Sequence, residues 1–325
     1  MMNKTLLSII IPFFNSEKTI GNTFASLNAI YSEKQPNIFE VILVDDGSSI
    51  PFSEDCFKHL FPLKTIRIKH SGPLVARCVG IEESKATYIY FLDSDDELRE
   101  TFLIDFCDEL NKRPNCDILL VEFYKKGNVF YNQSIFKSVI DEKLFVKHLV
   151  GLGDLGYSAA KIFRRTLYRT EIKELVSKED LSVSEDLLFS IYLFERGLNY
   201  TALKRPQYIY NIRSNSLSRS INLRTIKSYI KVFNIRYSFV FDSLNDIYSI
   251  EMFYDDVFEQ IIYLFYLIIR YLHKNEKKEA ISSFCSLVFL KKLMNNKSIR
   301  NCSNIKLKLT YLYLINNKIY RKMSK

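Results

Sequence analysis

No apolar stretch in the 325-residue sequence is long enough to cross a bilayer. The longest late run, IIYLFYLII (261–269), is nine residues and stops at Arg270, where a spanning helix needs about 20. The run after Lys4 is broken by Pro12 and Asn15, and no small-residue cleavage site follows, so no signal peptide is expected. Six cysteines lie at 56, 78, 107, 116, 285 and 302 without a CxxC pair, and there are only four histidines. Neither a zinc site nor a disulfide framework is expected, and a reducing cytoplasm is the natural setting. A glycine-rich loop with a basic residue directly after the first strand is also missing, since the chain there reads PFFNSEKTIG. That argues against a sugar nucleotidyltransferase, which would cradle phosphates in such a loop.

The hydrophobic fraction of 47% is that of an ordinary globular protein, which excludes disorder as the main theme. Charge is uneven. Of the formal net +9, residues 270–325 contribute fourteen Lys or Arg against Glu276 and Glu279, or +12, so residues 1–269 carry −3 by difference. A uniformly basic nucleic-acid binder would look different. The basic, aromatic tail suits an anionic membrane surface or a solvated helical face.

The first half alternates strand and helix signals. LLSIIIPFF (6–14) and FEVILVDD (39–46) read as strands buried on both faces. Between them Ser16 can cap a helix whose apolar positions are Ile20, Phe24, Leu27 and Ile30. Residues 64–70 read as a third strand, 72–84 as a helix, 87–93 as a fourth strand, 100–114 as a helix and 116–124 as another strand. Residues 144–168 mix helical and glycine-loop signals, and 182–197 predict a helix with Ser182 and Glu185 at capping-box spacing and Gly197 at its end. Beyond about residue 220 helical patterns replace strands. The expected fold class is therefore α/β with a mostly parallel sheet (1–220) and a helical, basic C-terminal region (221–325).

Ligands of open parallel sheets sit outside the carboxyl ends of the strands, and the acids collect there: Asp45 and Asp46 after the second strand, Asp93 and Asp95 after the fourth. In YIYFLDSDDE (88–97) a strand runs into acids whose repulsion costs stability unless a cation sits among them. Mg²⁺ or Mn²⁺ held by one or two carboxylates fills its shell with water and substrate phosphates, which points to a nucleoside diphosphate. The alternative is an acidic turn leading into a helix whose dipole favours acids.

Four segments, SIIIPFFNSEKTI, VILVDDGSS, SGPLVARCVGIEESKATYIYFLDSDDEL and SEDLLF, resemble in order and separation the family 2 glycosyltransferases of GT-A fold, over roughly residues 5 to 215. The resemblance implies an inverting enzyme that moves a sugar from a nucleotide-sugar, UDP-linked by preference, to a hydroxyl of a bacterial surface glycan such as lipopolysaccharide or capsule. It implies that Pro12, Glu17, Asp45 and Asp46 hold the uridine, that Arg77 stands near the nucleotide with Asp93 and Ser94, and that Asp95, with Asp93, binds the divalent metal. Cys78 departs from the pattern, where an asparagine commonly follows the arginine. Lys161 matches a lysine before the acceptor region, and Asp186, with Glu185 second, matches the catalytic base. Arg213 or Arg219 could contact the diphosphate. The fold could also persist without turnover, as a nucleotide-sugar or membrane-binding protein. A cytoplasmic location is expected, with the tail either resting on the inner leaflet or packing as a helical bundle that exposes its lysines to solvent.

Overall fold

The computed structural model describes residues 5–33, 38–125, 140–150, 156–179, 181, 183–211 and 221–285. The chain divides into two compact units, Met1–Phe145 with Asp154–Lys178 and Phe189–Ser214, and Val146–Gly153 with Glu179–Leu188 and Asn215–Lys325.

The first unit is built on the β-branched run near the N-terminus. All seven residues of β1 (Leu7–Phe13) are buried, because side chains leave alternate faces of a strand and both faces are covered. Leu7, Ile9, Ile11 and Phe13 join one core with Ile20, Phe24 and Leu27 of α1 (Ile20–Ile30). Ile10 points the other way, toward Gly80 of α2 (Pro73–Glu83). β2 (Phe39–Asp45) and β4 (Tyr88–Phe91) flank β1 in parallel, and β3 (Leu63–Arg67) extends the sheet beyond β2. α3 (Phe102–Lys112) adds Phe102 and Phe106 to the α1 side of the core. The α/β expectation with a mostly parallel sheet is met.

Local corrections follow from tertiary pairing. Ser16 does not cap α1 with its side chain: Thr19 is the N-cap residue, and the Ser16 hydroxyl donates to the Phe14 carbonyl at 3.1 Å. The expected strand at 116–124 is two strands, β6 (Ile118–Leu120) and β7 (Phe123–Lys125), in different sheets. The mixed segment 144–168 holds α4 (Glu142–Val150) and β8 (Lys161–Arg164), which runs antiparallel between β4 and β6. The seven-stranded order is β3-β2-β1-β4-β8-β6-β9, with β9 spanning Tyr200–Ala202. A second sheet has the order β5-β10-β7, with β5 at Glu97–Leu98 and β10 at Tyr208–Tyr210. α5 covers Glu171–Glu179. The helix expected over 182–197 is α6 (Glu185–Leu193), shorter at both ends, and Gly197 with φ 79 lies beyond it. The capping serine expected at Ser182 lies outside the described residues.

The described part of the second unit beyond residue 220 is helical. Asn222 caps α7 (Leu223–Ser238) by accepting the Thr225 N–H at 3.0 Å. A π-helical turn, Phe239–Leu244, follows. Asp246 caps α8 (Ile247–Tyr271) through the Ser249 N–H at 2.9 Å, and α9 spans Lys274–Cys285. Arg236 is fully buried and donates to Gln260 at 2.6 Å, with its guanidinium 5.6 Å from the Phe233 ring centre.

Candidate active site

β1, β2 and β4 end on one edge of the sheet, where Phe13 lies opposite Asp45 and Ile10 opposite Phe91. This register gathers the two acidic loops on one rim. Pro12 is a buried β1 position opposite Val44, and Glu17 is exposed in the turn before α1.

Asp45 and Asp46 are buried, 3% and 2% exposed, and each organises a loop. The Asp45 carboxylate accepts the Ser48 N–H at 2.8 Å, the Phe52 N–H at 3.1 Å and the Arg67 guanidinium at 2.6 Å. Burial pushes its pKa up, but the Ser48 and Phe52 hydrogen bonds and the Arg67 charge outweigh that and hold it below the usual carboxylate range. Asp46 accepts from the N–H groups of Ser71 at 2.7 Å and Gly72 at 2.9 Å, and His70 Nδ1 lies 3.0 Å from its carboxylate. Gly47 has φ 73, and a Cβ there would come within 2.7 Å of the His70 nitrogen, so only glycine lets this loop close. Phe14, 44% exposed, stacks on His70 with ring centres 4.3 Å apart.

The second loop continues β4. Arg77, on α2, donates to Asp93 at 2.6 Å and lies over the Phe91 ring. The arginine expected near the nucleotide is thus an ion-pair partner of the first acid. Ser94 is buried, and its carbonyl accepts from the Thr19 hydroxyl at 3.0 Å. Asp95 is half-buried. Asp96, 1% exposed, accepts from the Tyr208 hydroxyl and from the Asn211 N–H at 2.8 Å. Burial first, and then the Asp93 carboxylate, push Asp96 up to about 8 against those two donors. Among the described residues no three His, Cys, Asp or Glu side chains converge to hold an ion by themselves.

The remaining expected residues have other settings. Glu185 and Asp186 open α6 and are half-buried there, in the second unit. Lys161 is 1% exposed at the start of β8, where its ammonium donates to Ser190 at 2.8 Å. Cys78 is fully buried, and burial pushes its thiol up to about 12. Arg213 and Arg219 lie outside the described residues. Sequence reasoning did not single out Arg67 or His70, and gave Tyr208 and Asn211 no role beyond their place in the segment 208–220, because each reaches the rim by pairing with residues far away in the chain. Only Arg67 carried a local cue, as the last residue of a strand that pairs with the end of β2.

Residues 8–170, half of the chain, match the model described as Glycosyl transferase family 2. The chain belongs to that family. This family 2 glycosyltransferase is 25% identical over 246 residues to the Staphylococcus aureus (strain N315) protein named poly(ribitol-phosphate) beta-N-acetylglucosaminyltransferase TarP, covering 73% of this chain and 72% of TarP. It is 28% identical over 225 residues to the uncharacterized glycosyltransferase EpsJ of Bacillus subtilis (strain 168), covering 66% of this chain and 63% of EpsJ. Among solved structures, S. aureus TarS 1–349 in complex with UDP-GlcNAc superposes with a TM-score of 0.69 at 18% identity, over 89% of this chain and 83% of that one. The likeness establishes the GT-A fold expected of the family.

Proposed function

We propose that this glycosyltransferase moves a sugar, with inversion, from a uridine diphosphate donor to a hydroxyl of a surface-glycan acceptor, in a reaction that depends on a divalent ion. The observation that carries the proposal is the shared rim, on which the Asp45–Asp46 loop and the Asp93–Asp96 turn follow β2 and β4, the two parallel strands that flank β1. UDP-GlcNAc and UDP complexes of TarS support a uridine donor, and the names of TarP and TarS support a glycan-polymer acceptor.

In this reading Asp45, Asp46, Pro12 and Glu17 border the uridine, and Arg77, paired with Asp93, stands beside the ribose and diphosphate together with Ser94. The carboxylates of the turn suit a hard cation: Asp96 is buried under Tyr208, so Asp95, together with the Arg77-paired Asp93, would hold a divalent ion alongside the donor's diphosphate. When bound, the ion neutralises charge developing on the leaving diphosphate. Asp186, with Glu185 as the alternative, takes the proton of the attacking hydroxyl.

The test is donor hydrolysis by the full chain across UDP-, GDP-, CMP- and dTDP-sugars, with Mn²⁺ and with EDTA. Release of UDP from one sugar nucleotide is expected, abolished by EDTA and reduced about 100-fold or more in Asp95→Ala. Release that ignores EDTA would overturn metal dependence, and no release or binding of any nucleotide would overturn the donor assignment.

A further inference from the structure

We infer that Asn211 and Tyr208, on and just after β10, are positioning residues that set the geometry of the acidic turn for metal-assisted donor binding. The inference rests on the donor-site reading above and adds residues that lie far from the turn in sequence.

The turn holds four acids in five residues, Asp93 to Glu97, and such a loop would spread under its own repulsion if nothing clamped it. β10 pairs antiparallel with β5, with Tyr208 opposite Leu98 and Ile209 opposite Glu97, so residues 208–211 run alongside the turn. From there Asn211 makes three bonds. Its backbone N–H donates to the Asp96 carboxylate at 2.8 Å, and its side-chain amide donates to the Asp95 carbonyl at 2.8 Å and to the Glu97 carboxylate at 3.1 Å. The buried Tyr208 hydroxyl donates to the second oxygen of Asp96. The other side of the turn is held by Arg77 on Asp93 at 2.6 Å and by the Thr19 hydroxyl on the Ser94 carbonyl at 3.0 Å. Arg77 and Thr19 thus hold Asp93 and Ser94 from one side, Asn211 and Tyr208 hold Asp95, Asp96 and Glu97 from the other, and Asn211 grips the main chain of Asp95 itself. The side-chain amide suits this place because it delivers two donors from one planar group to a carbonyl and a carboxylate. A metal-binding carboxylate gains from such support because its orientation is set before the ion arrives.

The experiment is isothermal titration of UDP into the full-length wild type, Asn211→Ala and Tyr208→Phe, each with and without MnCl₂, alongside thermal melting. Asn211→Ala keeps its backbone bond to Asp96 and loses both amide bonds, and Tyr208→Phe keeps the ring and loses the hydroxyl. The expected result is an increase of about 10-fold in the Kd of UDP with Mn²⁺ for Asn211→Ala, a smaller increase for Tyr208→Phe, and unchanged binding without Mn²⁺. Melting temperatures should fall by no more than a few degrees, the cost of the lost hydrogen bonds. Variants that bind like the wild type with Mn²⁺, whether or not they melt earlier, overturn the inference and leave the two residues a purely structural role. Should Asn211→Ala fail to fold, Tyr208→Phe decides by the same criterion. A wild type that binds no UDP under either condition overturns the donor-site reading itself, an outcome distinct from normal binding by the variants.

Discussion

Asp105 shows how one buried carboxylate serves the rim without touching it. It lies on α3, accepts from Arg205 Nε at 2.9 Å and from the Gln207 amide, and so anchors the chain just before Tyr208. Burial alone would push its pKa up, but the Arg205 and Gln207 hydrogen bonds and the Arg205 charge outweigh burial and hold it below the ordinary value. A carboxylate whose folded pKa is depressed contributes stability above its unfolded pKa and loses it as pH falls through the folded one. Asp105→Asn is therefore expected to melt a few degrees below wild type at pH 7, with the gap closing below about pH 4. Melting curves from pH 7 to pH 3 check this, and a gap that does not change with pH would show that the charge of Asp105 does not contribute. Asp96 is the contrasting case, since its pKa is raised by burial and by Asp93 and it is held by neutral donors.

α2 carries Arg77 to Asp93, and its seating against the sheet depends on the residue one turn later. A Cβ on Gly80 would meet Ile10 Cγ2 at 2.4 Å, and Ile10 is fully buried in β1. Helix and strand pack closer here than any side chain permits. Alanine would gain about 1 kcal/mol of helix propensity, but overpacking a filled core costs about 1–3 kcal/mol. Gly80→Ala is expected to lower stability by up to about 2 kcal/mol and, by lifting α2, to weaken UDP binding as well. Chemical denaturation with nucleotide titration checks both, and a variant about 1 kcal/mol more stable than wild type would show that Ile10 yields at no cost. β8 is the opposite kind of element. Its residues KIFR are unremarkable locally, and it becomes a central strand because β4 and β6 leave a place between them.

The division of charge between the two parts of the chain bears on where the enzyme works. Residues 270–325 carry +12, and basic residues near an anionic leaflet gain about 1 kcal/mol each when they lie close to it. Among the described residues no helix is long and apolar enough to cross a membrane. We propose peripheral attachment at the cytoplasmic face. Full-length protein should co-sediment with vesicles containing about 30% anionic lipid, far less with zwitterionic vesicles, and less still when salt screens the charges. Replacement of Lys318, Arg321, Lys322 and Lys325 by glutamine should weaken the association. Equal recovery in the supernatant with both vesicle types would overturn it.

The β1–α1–β2 unit, α2 and the acidic turn were legible in the chain because they obey local rules: β-branched runs, helical spacing, and acids at strand ends. Family membership was legible for the same reason, since its motifs are short segments in a set order. The antiparallel β8, the division of 116–124 between two sheets, the Arg67–Asp45 pair and the Asn211–Tyr208 hold on the turn were not. Tyr208 and Asn211 stand 112 and 115 residues from Asp96, and no periodicity or propensity reaches that far. Pairings of this kind are chosen when the whole sheet assembles and each buried polar group must find a partner. Local chemistry thus placed acids at the end of β4, whereas their fixed arrangement required strands from the other end of the domain.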